Sequence, residues 1–185
     1  MVFFHPTVVH ITGGYFDILN VCKVDCVSPA GQRALTAAIN KIESNIQAMV
    51  TLSQKNGIKV VLGTIPPFTA TLAPLNSPVA YQVYAYNNSW LKPYATTQHI
   101  PVVDYNAILG FYLSPNCDEY LAPGACGESS VPIPYSSWYT TDGINPNALG
   151  YSMMTPFTLI AVDIADLALQ SGYLGTELAP KKRIP

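Results

Sequence analysis

Three carboxylates stand where a folded chain could use them. Asp17 follows Gly13-Gly14-Tyr15-Phe16, Asp104 follows Pro101-Val102-Val103, and Asp142 precedes Gly143-Ile144-Asn145-Pro146-Asn147. The rings of Tyr135, Trp138 and Tyr139 come just before Asp142. Aromatic rings beside amides and carboxylates suit a sugar, and they equally suit a domain simply rich in tyrosine, of which this chain has 12. Carboxylates held about 5–10 Å apart can cleave a glycosidic bond, which makes Asp17 with Asp142 one candidate pair. Other acid–base chemistry needs a base, and Asn145 cannot be one, because an amide has no proton affinity near neutral pH. The three histidines supply no obvious substitute. His10 falls inside a β-branched apolar run and reads as a strand residue. His5 lies in the N-terminal arm, and His99 precedes a strand at the end away from the carboxylates.

The elements that must position these groups alternate in period. Thr7 to Thr12 is a β-branched apolar run closed by Gly13-Gly14, which predicts a buried strand ending in a tight turn. Ser28-Pro29-Ala30-Gly31 offers a helix start, and Ala34 to Asn56 carries apolar residues at helical spacing until Gly57 stops it. Ile58 to Gly63 predicts a second strand, Val79 to Thr97 a tyrosine-rich helix, and Ile100 to Asp104 a third strand. From Asn106 to Thr141 the pattern breaks into loops. Ala148 to Leu169 predicts a long closing helix that Pro156 kinks or begins. Continuous apolar strands alternating with helices imply an α/β fold with a parallel sheet covered on both faces. Sites in such sheets lie outside the carboxyl ends of the strands, where Asp17, Asp104, Asp142 and Asn145 all fall.

With these segments placed, the chain resembles the SGNH/GDSL hydrolases, a family of esterases and lipases. Asp142 to Tyr151 is similar to its last block, Asp-x-x-His-Pro-Asn, with Asn145 where the family has its general base. Val8 to Asp17 resembles the strand and Gly-x-Asn-Asp turn of its third block, Lys59 to Pro67 the following strand and Thr-x-Pro-Pro turn, and Ile100 to Asp104 the strand with Pro-Val-Val-Asp. The resemblance runs from about Thr7 to about Leu169 and implies a three-layer α/β/α sandwich of flavodoxin-like type. Phe16 stands where the family places an oxyanion-hole Asn; losing one such donor costs hydrolases about 2.7–4 kcal/mol of transition-state stabilisation. The Gly-Asp-Ser nucleophile block and the second block's Gly have no counterpart. Gly127-Glu128-Ser129 is the nearest spelling, but it follows a loop rather than a strand. The resemblance thus implies an ester-hydrolase domain that is inactive or weakly active, with Asp142 and Asn145 in the catalytic positions. Gly14, Tyr15, Phe16, Asp17, Asp104, Trp138 and Tyr139 are its expected substrate contacts. A glycan-binding domain on the same fold is the alternative, followed by the carboxylate-pair glycosidase. If the family's first strands are missing, the strand at Thr7 to Thr12 becomes an edge, and two copies could meet there, covering Phe3 and Phe4.

Composition sets the frame. The 185 residues, 49% hydrophobic and 11% charged, predict one domain spanning 1–185, with a core over 7–169 and a tail over 170–185. A net charge of -2 gives no footprint for nucleic acid. No apolar run long enough to span a bilayer is expected, and no signal peptide is visible. A small-molecule ester or glycan is the expected ligand, with no cofactor and no metal. Cys22 with Cys26 and Cys117 with Cys126 form two local pairs in turn-rich segments. They predict two disulfides and a secreted or periplasmic protein, with reduced thiols or, at an uncommon spacing, zinc as the alternatives.

Overall fold

The computed structural model describes residues 6–66, 82–110, 139–141 and 145–177, with 168–177 as helical backbone alone. Strand β1 (Val8–Ile11) is followed at once by helix α1 (Tyr15–Cys22), then α2 (Pro29–Lys55) and strand β2 (Lys59–Gly63). Further along lie a π-helical turn (Tyr86–Leu91), α3 (Lys92–Thr97), strand β3 (Val102–Val103), α4 (Tyr105–Gly110) and α5 (Ala148–Glu177). The strands form one parallel sheet in the order β1-β2-β3, with Val9 opposite Val60 and Leu62 opposite Val102. The expected parallel α/β architecture is present. Its third strand is shorter than the expected Ile100 to Asp104, and α1 and α4 occupy segments expected to be loop.

Alternation along the strands sorts the core into two layers. Val60 and Leu62 face a cluster with Ile18, Leu19, Leu35, Ile42, Ile46 and Val50, which places α1 and α2 on one side. Val61 and Val103 face Tyr105, Ala161 and Ala165, which places α4 and α5 on the other. Each large aliphatic side chain fully removed from water here contributes about 1.5–3 kcal/mol.

Local chemistry explains the helix boundaries. Ser28 caps α2, its hydroxyl accepting from the Gly31 amide at 3.1 Å, and Pro29 sits in the first turn where its missing N–H costs nothing. That start lies several residues ahead of the first apolar repeat at Leu35. Two Schellman turns end the helices that lead into β2 and β3. After α2, Gly57 N–H donates to the Gln54 carbonyl and Ile58 N–H to that of Ser53, both at 3.0 Å. After α3, His99 N–H donates to Thr96 at 3.1 Å and Ile100 N–H to Ala95 at 2.9 Å. The π-helical turn and α3 carry a ladder of rings: Tyr86 and Trp90 stack with centroids 5.3 Å apart, and Trp90 and Tyr94 with centroids 5.1 Å apart.

Three expectations meet the structure differently. Cys22 and Cys26 are not a disulfide but two free, buried thiols inside the apolar cluster against α2. The turn between them is already closed without a covalent bond, because Asp25 accepts the Val27 and Ser28 amides at 2.9 and 3.0 Å and also bonds the Ser28 hydroxyl. Burial and the neighbouring Cys26 thiol push the Cys22 thiol up to about 12, far from the thiolate that oxidation requires. The pair therefore lends no support to an oxidising compartment, and Cys117 and Cys126 lie outside the described residues. Second, α5 includes a stretch, Ala148–Leu167, of 20 residues and mean hydropathy 1.3, long and apolar enough to cross a membrane by length and composition. The expectation of no such stretch missed it because Ser, Thr and Asp interrupt the run of apolar letters. In this fold the stretch packs its Ala161 and Ala165 face on the sheet. Third, Pro156 lies inside α5, which begins at Ala148 as expected and continues through the proline.

Candidate functional site

Gly14 places the first part of the site. It caps α1 at φ 100°, in the left-handed region that only glycine adopts freely, and a Cβ there would lie 2.7 Å from Cγ2 of Ile42. This sharp turn starts α1 directly from the end of β1, so the helix amino terminus opens at the carboxyl edge of the sheet. The first intrahelical bond runs from the Ile18 amide to the Gly14 carbonyl at 3.2 Å. Amides of the first turn ahead of it have no acceptor within the helix, and they lie at the positive end of its dipole.

A second wall comes from the turn after β2, where Thr64 and Ile65 are fully buried. Asn87, itself fully buried in the π-helical turn, holds it at two points. The Ile65 amide donates to Asn87 Oδ1 at 2.9 Å, and Asn87 Nδ2 donates to the Ile65 carbonyl at 2.8 Å. Thr64 Oγ1 donates to Asp104 at 3.1 Å and accepts from the Asn106 amide at 3.0 Å. The third wall is the start of α5. Asn147 caps it, accepting from the Gly150 amide at 2.9 Å, while Thr140 Oγ1 donates to the Asn145 carbonyl at 2.7 Å.

Together these walls enclose an open pocket of about 350 Å³ lined by Thr12, Gly13, Gly14, Tyr15, Phe16, Asp17, Ile65, Pro66, Asn145, Pro146, Tyr151 and Met154. The structure thus brings Gly14, Tyr15, Phe16, Asp17 and Asn145 together, as the sequence reading expects. Phe16 is 56% exposed and meets Tyr15 edge-on at 5.1 Å. Asp104 is elsewhere: it caps α4 through the Ala107 amide at 3.1 Å and pairs with Lys92. With its oxygens committed to Thr64, Ala107 and Lys92, it holds the frame rather than a ligand. Tyr139 is buried against Leu109, Met153 and Met154 and does not line the pocket. Asp142, Tyr135 and Trp138 lie outside the described residues. Met154 and Thr12 were not anticipated; the helical spacing of Met154 from Tyr151 is the signal that points to it.

No histidine lines this pocket among the described residues. His10 faces the α5 layer, its Nε2 3.2 Å from the Tyr105 hydroxyl, which in turn lies 2.6 Å from Thr158 Oγ1. Thr158 donates to the Met154 carbonyl at 2.9 Å, so its oxygen accepts from the Tyr105 hydroxyl. Burial holds the His10 imidazole below its ordinary pKa. His99 is at the opposite end of the sheet, beside Ile100 and Pro101. Among the described residues, no group of three or more His, Cys, Asp or Glu could hold a metal ion.

Solved structures share this α/β fold. A candidate acylhydrolase from Bacteroides fragilis superposes with a TM-score of 0.57 at 24% identity, over 85% of this chain and 62% of that one. A GDSL-like lipase from Bacteroides thetaiotaomicron superposes with a TM-score of 0.51 at 21% identity, over 69% of this chain and 53% of that one. This chain therefore spans 62% and 53% of the lengths of those two proteins. At such identities the likeness establishes the fold. No protein-family model and no curated protein matches the chain.

Proposed function

We propose that this domain binds acyl esters in the pocket between Gly14 and Asn145 and hydrolyses them weakly or not at all. The observation that carries this reading is the pocket's lining: the turn before α1 and the amino end of α5 converge as in an ester hydrolase, while no imidazole faces them among the described residues. Amides at the start of α1 suit an ester carbonyl oxygen, and Tyr15, Ile65, Pro66 and Met154 suit an acyl chain. Among the described lining residues no group takes up a proton near neutral pH as an imidazole would. A serine or threonine hydroxyl is a weak nucleophile without an adjacent base. Thr12 lines the pocket, but its hydroxyl donates to the Thr64 carbonyl at 3.4 Å, which cannot take up a proton. The glycan alternative loses one of its three rings, since Tyr139 packs in the core.

The test is hydrolysis of p-nitrophenyl acetate by the wild type, Asn145→Ala and Asn145→His. Wild type and Asn145→Ala should be indistinguishable from each other and close to the buffer rate. Turnover by the wild type at the level of ordinary esterases would overturn the reading and require a nucleophile and base outside this pocket lining.

A further inference from the structure

A second cavity, of about 500 Å³, opens at the other end of the sheet, where β2 and β3 begin. Its apolar lining comes from Ile58, Val60, Ile100, Pro101, Ile164 and Ala165. Gln54, Lys59, Gln98 and His99 add the polar groups, and no acidic side chain lines it among the described residues. Lys59 is half-buried and makes no ion pair with any described residue. A cation in a cavity lining that holds no acidic side chain among the described residues is the feature an anion completes.

Its two Schellman turns give an independent reason to read this cavity as a site. Gly57 and His99 occupy equivalent positions, each in the left-handed region, at φ 72° and φ 54°, each with the same pair of backbone bonds, and each lining the same cavity. At the first turn glycine takes this conformation without strain. At the second the chain keeps an imidazole there, although a side chain with a Cβ is disfavoured in that region. The conformation is uncommon for a residue with a Cβ, histidine being among those that adopt it more readily, and the imidazole adds a hydrogen-bonding group to the cavity lining.

We propose that this cavity is a binding site for an aliphatic carboxylate, with the head group at Lys59 and the chain along Pro101, Ile164 and Ala165. The volume fits a small amphipathic molecule, and an apolar lining with a few polar groups is the usual build of such sites. The proposal is independent of what the pocket at the opposite end does.

Calorimetric titration of the whole chain with octanoate, octanol and acetate tests it, together with Lys59→Gln, His99→Gly and Ile164→Trp. Octanoate should bind saturably, with octanol and acetate each at least about tenfold weaker, since each lacks one half of the recognition. Lys59→Gln should cost about tenfold in octanoate affinity, and Ile164→Trp, which fills the cavity, should abolish binding. His99→Gly should bind severalfold more weakly while its Tm stays equal or rises, because the strain is gone. Octanol binding as well as octanoate, or undiminished affinity in Lys59→Gln, would overturn the proposal. A fall in the Tm of His99→Gly would show that His99 is kept for the fold and would remove its second support.

Discussion

Asn87 shows how a single side chain can stand in for a strand. Its amide bonds both the N–H and the carbonyl of Ile65, which lies just beyond the last β2–β3 pair and has no ladder partner there. Asn87→Ala leaves the buried Ile65 amide without a partner and its carbonyl with only the 3.5 Å bond from Asn106 Nδ2, which costs about 1–3 kcal/mol; urea unfolding measures this. Asn87→Asp keeps the acceptor for the Ile65 amide but sets a second acceptor against the Ile65 carbonyl in a fully buried place, so it should not restore stability. None of this was legible from the sequence, because Asn87 is 22 residues from its partner and sits among tyrosines with no motif around it. By contrast Gly14, Phe16 and Asn145 were legible, since each occupies a marked place in a short local pattern. Asp104 was ambiguous for the same reason: an Asp at a strand end reads equally as a ligand or as a helix cap, and the helix it caps is too short to announce itself. His10 adds a pH dependence. With its folded pKa lowered by burial, the unfolded chain takes up a proton first as pH falls. This contribution to stability is intact above the unfolded value of about 6.5 and is lost as pH falls through the lower folded value. Melting temperatures measured from about pH 8 to about pH 5 should fall less steeply in His10→Gln than in the wild type.

At the scale of elements, length decided what could be read. Helix α2 has 27 residues, an apolar repeat from Leu35 onward and an explicit cap, so both its presence and its end were legible. Helix α1 has 8 residues and α4 has 6, too few turns for a period to show. Yet α1 orients the pocket, and the device that starts it is Gly14. Gly14→Ala combines a left-handed backbone with a Cβ 2.7 Å from Ile42 and should destabilise the domain by about 2–4 kcal/mol in denaturant unfolding. Its ester affinity, measured at a temperature where it remains folded, should also fall, because Ile42 can yield only by shifting α1 relative to α2.

For the whole molecule, the strand order among the described residues leaves β1 at the edge of the sheet. Lys59 N–H donates to the Thr7 carbonyl, and in a parallel ladder the residues bonded to the neighbour alternate. Val9 and Ile11 therefore serve β2, while the backbone groups of Val8 and His10 point to the open side. Two copies related by a twofold axis can pair these groups in antiparallel fashion. Light scattering at tens of micromolar should find a dimer for the wild type and a monomer for Val8→Pro, which removes an outward amide without breaking the β1–β2 ladder. A wild-type monomer would show that the edge is covered from within the chain.

The stacked rings of Tyr86, Trp90 and Tyr94 give the molecule an optical signature of its own. Trp90 is one of two tryptophans in the chain, and its indole lies almost parallel to Tyr94, at 6°, and tilted by 26° from Tyr86. Chromophores held so close and so fixed couple their electronic transitions, which yields strong near-ultraviolet circular dichroism that a freely rotating ring does not have. The stack from Tyr86 to Trp90 spans the π-helical turn, and relaxation of that turn to α-helix would swing the indole across the phenol. Ellipticity in this band is therefore a spectroscopic gauge of the turn that carries Asn87, and it should fade in Asn87→Ala while the far-ultraviolet helix signal is still intact.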